Sequence, residues 1–133
     1  MIKNFSAGIH VLVQKGGKYL ALRRSDDDFT EPWAWDLPGG GIHFGEQPMD
    51  AALRETREEA GIEIALGKIL DVRAAALQDR WSIEVLIEGV WKKGDVAVSR
   101  EHSEYRWVSR DELLRLKPQS VHVKQCAVVL KKK

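Results

Sequence analysis

An α/β fold, with a mixed β-sheet packed between helical layers, is what this sequence predicts, and three features predict it. Strand-like alternation lies before and after one central amphipathic helix, helical segments close the chain, and no internal repeat, low-complexity stretch or linker divides it. The 133 residues are expected to form a single domain, 1–133, long enough for a sizeable core and too short for two.

Each element has a local reason. From Phe5, FSAGIHVLVQ alternates Ala7, Ile9, Val11 and Val13 against Gly8, His10 and Leu12, a strand with at least one buried face. Lys15-Gly16-Gly17-Lys18 is a hairpin turn, the return strand covers residues 19–24, and Ser25-Asp26-Asp27-Asp28 breaks the pattern. Residues 31–37 lead to a glycine turn, with Trp35 structural and Trp33 expected to pack. Beyond the central helix, residues 63–66 and 69–77 read as strand segments interrupted at Gly67, Gln78-Asp79-Arg80 as a turn, and residues 81–91 as a cleanly alternating strand. Lys92-Lys93-Gly94-Asp95 opens a polar loop, expected to be mobile, before a final strand at residues 104–108. Ser109 and Glu112 have capping-box spacing for a short helix through Leu116; Pro118 separates it from a last helix over residues 120–131.

Composition narrows the function classes. With 44% hydrophobic and 31% charged residues and a formal net charge of +1, the chain gives no bulk-electrostatic reason to bind nucleic acid or a membrane. The single cysteine, Cys126, excludes an intramolecular disulfide and a cysteine-based metal site, and it reads as a small core residue of the last helix. No signal-peptide pattern precedes the first strand and no apolar run approaches bilayer length, so a soluble, cytoplasmic protein is expected. The charge run Lys131-Lys132-Lys133 reads as a favourable helix terminus.

The central helix is read over residues 47–60. Met49, Ala52, Leu53, Thr56 and Ala60 recur at three-and-four spacing as one mostly apolar face, which is expected to be buried. Pro48 suits the first turn, and Gly61 suits the left-handed position just past the end. At about 100° per residue, Glu55, Glu58 and Glu59 fall together on a separate face. Like charges at such spacings repel, and a divalent cation resolves the conflict. Hard oxygen ligands suit Mg²⁺ or Mn²⁺, and Mg²⁺ commonly completes its shell with waters and phosphate oxygens, so a phosphorylated substrate is expected. The plain alternative is a solvated face on which Arg54 pairs with Glu58. The preceding Leu37-Pro38-Gly39-Gly40-Gly41 favours the site, because such backbone can approach a ligand or metal closely.

Gly40, Glu46, Arg54, Glu55, Glu58, Glu59, Gly61 and Ile62 stand in a fixed pattern: Gly, five residues, Glu, seven residues, Arg-Glu, an aliphatic, any residue, Glu-Glu, any residue, Gly, an aliphatic. Residues 40–62 thus resemble the Nudix box, with Thr56 at an aliphatic position as the one departure. The resemblance implies the Nudix α/β/α sandwich. It also implies a Mg²⁺-dependent pyrophosphohydrolase that cleaves a nucleoside diphosphate linked to another group, which includes MutT-like action on nucleoside triphosphates.

By the same resemblance Glu55, Glu58 and Glu59 coordinate the metal, with the carbonyl of Gly39 or Gly40 as a further oxygen ligand. Arg54 orients a glutamate, and Glu46 caps the helix or supports the loop. Water is the nucleophile, and Glu55 or Glu58 can serve as its base; of the acids beside the late loop, Glu104 is preferred to Glu101. An arginine ending the second strand is used on substrate phosphates in some members; Arg23 and Arg24 fall on opposite faces, and Arg24 is preferred. Gln119 or Ser120 stands where an amide in some relatives reads a purine, although solvent exposure is the plainer expectation for both. His10 is read as structural, and His43 and His102 receive no catalytic role. The expected partner is a nucleotide or nucleotide derivative. A reading from another class is a catalytically weak nucleotide-sensing or protein-binding module on the same fold, against which the intact glutamates argue.

Overall fold

The computed structural model describes residues 4–131, so Lys132 and Lys133 of the terminal lysine run lie outside the described residues. Its elements are β1 (Asn4–Lys15), β2 (Lys18–Arg24), β3 (Trp35–Asp36), β4 (Gly39–Gly41), α1 (Pro48–Ala60), β5 (Glu63–Leu77), β6 (Arg80–Lys93), β7 (His102–Val108), α2 (Arg110–Arg115) and α3 (Val121–Leu130). The strands form one mixed sheet in the order β3-β2-β1-β6-β5, with β4 added to β1 and β7 to β2. β1 and β6 run parallel and the other pairs antiparallel.

β1 is buried on both faces along its middle, as a central strand must be. Its alternation feeds two cores. Ile9, Val11 and Val13 pack with Leu20, Leu22, Ile87 and the α1 residues Ala51, Ala52 and Ala60. Leu12 packs on the other side with Leu37, Leu86, Leu113 of α2 and Val123, Cys126 and Leu130 of α3. The sheet therefore lies between α1 and the α2/α3 pair, an α/β/α sandwich, and each fully buried aliphatic contributes about 1.5–3 kcal/mol of hydrophobic stabilisation. Among the described residues no helix is long and apolar enough to cross a membrane.

The helix boundaries follow their local chemistry. Pro48 opens α1, and Gly61 closes it at φ 70° with its N–H donated to the Arg57 carbonyl. The capping box of Ser109 and Glu112 is formed in both directions, and Ser120 caps α3.

Several expectations need correction. The inward face of α1 is made by Ala51, Ala52, Thr56, Glu59 and Ala60, while Met49 is 40% exposed. Alanine lets the helix approach the sheet closely, and the long Met49 side chain in the first turn stays outside. The two strand segments around Gly67 are one strand, β5, which absorbs the interruption as register shifts between Leu66 and Asp71. The glycine turn is itself the short strand β4. The last strand starts two residues earlier than expected, at His102. Ser120 is fully buried and Gln119 partly so, because residues 118–120 extend along β3: Trp35 N–H donates to the Pro118 carbonyl at 2.8 Å and Ser120 N–H to the Trp35 carbonyl at 2.9 Å.

Candidate active site

Two adjacent segments build one wall of the site. β4 pairs with β1 so that His10 faces Gly39, Ile9 faces Gly40 and Gly8 faces Gly41. A Cβ at Gly40 would lie 2.7 Å from the Glu55 carboxyl carbon, so only glycine lets the α1 carboxylate sit against this backbone. Arg54 ties loop to helix. Its Nε and Nη2 donate to the two oxygens of Glu46 at 2.8 and 3.0 Å, its Nη1 to Glu55 at 2.8 Å and Glu58 at 3.1 Å, and its Nη2 also to the Gly41 carbonyl at 3.0 Å. Arg54 thus orients Glu55, and Glu46 supports the loop, also accepting the His43 N–H at 3.0 Å. Hydrogen bonding to Arg54 and to the His43 N–H lowers the Glu46 pKa to about 2.

The three helix glutamates have unlike surroundings. Glu59 is buried and accepts the Gly39 N–H at 2.9 Å. Burial, then repulsion from Asp36, Glu55 and Glu101, pushes its carboxyl up to about 9 despite that hydrogen bond. Glu55 is half-buried; desolvation raises its pKa, and Arg54 only partly opposes this. Glu58 lies nearer solvent. Glu55 and Glu59 line a cavity of about 380 Å³ together with Glu101, and all four acids surround a smaller one of about 190 Å³. Glu101 reaches the site because its loop is tied to the end of α1, with Ala97 N–H donated to the Ala60 carbonyl at 2.9 Å and Ser99 N–H to that of Glu59 at 3.2 Å. Buried carboxyls held above their ordinary pKa around a shared space form a set of hard oxygen donors that a divalent cation would suit.

Arg24, Asp36, His10, His102 and His122 also line the larger cavity. Arg24 donates through Nε and Nη2 to Asp36 Oδ2 at 2.9 and 2.7 Å. His122 points Nδ1 at Asp36 Oδ1, 3.2 Å, and Nε2 at Glu84 Oε1, 2.8 Å. Burial opposes the charged ring, but the two carboxylates outweigh it and raise His122 to about 9, an imidazolium at neutral pH. Asp36 is held well below the usual carboxylate range: burial works against this, and His122 and Arg24 prevail. His10 stacks on His122 with ring centroids 3.3 Å apart, and burial followed by repulsion from His122 lowers it to about 3. His10, Asp36 and His122 each offer a ligand atom within 4.8 Å of the others. Two cations already share the one carboxylate of that trio, so the glutamate wall is the more favourable metal site.

The remaining expected site residues lie elsewhere. Arg23 and Glu104 pair at 3.8 Å and line none of these cavities, Arg23 also donating to the Trp33 carbonyl at 3.1 Å. Glu104 is paired with Arg23 across β7 and β2, and that register carries it off the cavity, so the nearer acid of the late loop is Glu101. Gln119 donates to the carbonyls of Leu113 and Leu114, closing α2 rather than facing a ligand. Trp35 is buried as expected, whereas Trp33 is 45% exposed. Asp36, Glu84, His10 and His122 carry no shared motif; strand pairing and the docking of α3 unite them, and no local signal marks the cluster.

A set of carboxylates suited to a divalent cation, lining one cavity together with a guanidinium, fits a hydrolase of phosphorylated substrates. A family model described as NUDIX domain matches residues 3–126. The chain belongs to the Nudix family and is a hydrolase of phosphoanhydride bonds, a pyrophosphohydrolase of nucleotide-like substrates. It is 32% identical over 114 residues to nucleoside triphosphatase NudI of Escherichia coli O81 (strain ED1a), covering 77% of this chain and 81% of that protein. The crystal structure of a MutT protein from Methanosarcina mazei Go1 is similar, with a TM-score of 0.87, 28% identity, and coverage of 99% of this chain and 96% of that one. A MutT NUDIX hydrolase from Burkholderia pseudomallei shares the fold at TM-score 0.82 and 21% identity, over 97% of this chain and 98% of its own. Divalent metals are general to Nudix hydrolases.

Proposed function

We propose that this chain is a Mg²⁺-dependent hydrolase of nucleoside diphosphates linked to another group, with nucleoside triphosphates as the simplest substrates. The observation that carries the reading is the meeting of Glu55, Glu59 and Glu101 with Arg24 around one cavity. Mg²⁺, or Mn²⁺ in its place, would be held by Glu55, Glu58 and Glu59, with the carbonyl of Gly39 or Gly40. Once bound, the ion neutralises phosphate oxygens and acidifies a water.

The chain's own residues do the rest. Arg54 keeps Glu55 aimed at the cavity, and Arg24, lining the same cavity, binds the phosphate chain. Glu55 or Glu101 takes the proton of the attacking water; Glu104, off the cavity, is not proposed for that step. A second cavity of about 460 Å³ shares Arg24 and His122 with the first and is lined also by Thr30, Leu77, Gln78 and Val121, which supports placing the nucleoside there. The relative called nucleoside triphosphatase NudI favours a triphosphate. Phosphate and pyrophosphate release with Mg²⁺ across a panel of nucleotides tests the proposal. Turnover abolished by Glu59→Gln is expected; tight nucleotide binding without turnover anywhere would favour the sensing module instead.

A further inference from the structure

Asp36 divides its two oxygens between scaffold and site. Oδ1 accepts the Leu37 N–H at 2.8 Å, the Ser120 hydroxyl at 2.8 Å and His122 Nδ1 at 3.2 Å. Among the described residues, Oδ2 receives Arg24, through two N–H groups. The His122 ring cannot swing away, because Glu84 holds its far nitrogen, the Ser82 hydroxyl holds Glu84 at 2.6 Å, and His10 covers its face. Arg24 and His122 both border the two neighbouring cavities, so this chain of contacts ends where a nucleotide's phosphates and nucleoside would join.

We propose that His122 is a positioning residue for substrate binding: by holding Asp36 Oδ1 from behind, it turns Oδ2 toward Arg24 and fixes the guanidinium at the junction of the two cavities. The inference rests on the proposed reading of Arg24 as a phosphate-binding group. Without the His122 contact the Asp36 carboxylate keeps only the Leu37 N–H and the Ser120 hydroxyl on Oδ1 and is held less firmly, and the guanidinium, whose other contacts to Asp28 and Glu31 are longer at 3.4 and 3.5 Å, loses precision at the junction. The glutamate wall is untouched, so the chemical step persists while substrate is held less well.

Steady-state kinetics with Mg²⁺ and a nucleoside triphosphate that the wild type hydrolyses, alongside thermal melts, test this. His122→Gln retains a group able to reach Glu84 and loses the Asp36 contact; KM should rise about tenfold, the scale of one charge-assisted hydrogen bond, with kcat within about threefold. His122→Asn, whose amide reaches toward Asp36, should restore KM toward the wild-type value. Gln125→Ala removes other α3 contacts, to Asp71 and the Glu84 carbonyl, and should lower Tm with KM unchanged. Ser120→Ala, which deletes a neighbouring donor to Asp36 Oδ1, should raise KM about threefold and serves if the His122 variants do not fold. Equal KM values for wild type, His122→Gln and Ser120→Ala would overturn the proposal, as would a loss confined to kcat. Arg24→Lys separates the two readings: an unchanged KM there defeats the role of Arg24 itself, whereas a raised KM there with normal KM in His122→Gln and Ser120→Ala defeats only the relay.

Discussion

Glu59 is the residue at which burial and charge conflict most sharply. Its carboxyl lies among Asp36, Glu55 and Glu101 with one backbone N–H for support, so without a cation it holds its proton at neutral pH. On the proposed reading, Mg²⁺ binding at Glu59 would displace a proton, and the ion's stabilising effect should be larger at pH 8 than at pH 5.5 when melting temperature is followed against Mg²⁺ concentration. Glu59→Gln should lose most of that increment and most of its turnover, about 10²-fold or more, while the metal-free protein at pH 8 melts no lower than wild type. Gly40 offers a second test. A methyl group at Gly40→Ala meets the Glu55 carboxylate at 2.7–2.8 Å, and a displacement of about 1 Å should cut kcat about 10²-fold with little loss of Tm.

At the level of elements, Arg54 joins the loop before α1 to the helix itself, serving Glu46, Glu55, Glu58 and the Gly41 carbonyl at once. A lysine cannot reproduce the forked contact with Glu46 while also reaching Glu55, so Arg54→Lys should lower kcat at least tenfold with the fold intact by circular dichroism. The α2 capping box lies far from this chemistry in role: Ser109→Ala should cost about 1 kcal/mol in denaturant unfolding and leave kcat/KM unchanged. The turn-helix unit was readable from sequence because proline, glycine and glutamate spacing act locally. The His10, Asp36 and His122 cluster lining the same cavity was not. His10 is one polar residue in a strand and His122 one polar residue in a helix, and only the β1–β4 pairing and the extension of residues 118–120 along β3 bring them to Asp36. Glu104 lies off the cavity for the same reason: position near the loop does not reveal on which side of β7 a carboxylate emerges.

Across the whole molecule, strand patterns before and after one central helix, with helical segments closing the chain, predicted a sheet with helical layers, and the sorting of Ile9, Val11 and Val13 from Leu12 into separate cores agrees with it. Register shifts in β5 escaped notice because Gly67 looks like a break when its partner strand is unseen. The buried titratable groups also give the protein a pH profile. Glu59 and His122 bind protons more tightly folded than unfolded, so the stability they contribute falls as pH rises, for Glu59 from about 4.5 and for His122 from about 6.5, each up to about 9. His10, lowered to about 3, acts in the other direction, its contribution being lost as pH drops below 6.5. The opposing slopes offset one another below pH 6.5, and above it Glu59 and His122 act together. Metal-free protein should therefore lose stability between pH 6.5 and 9, with a slope of up to about 1.4 kcal/mol per pH unit for each group, and Mg²⁺ should flatten the part due to Glu59.

The most direct measurement is isothermal titration of Mg²⁺ into wild type, Glu55→Gln and Glu59→Gln, read beside nucleoside triphosphate hydrolysis by the same samples. Saturable binding and turnover in wild type, with both reduced together in each folded variant, is the predicted result. Undiminished hydrolysis in either variant would contradict a catalytic cation held by these carboxylates.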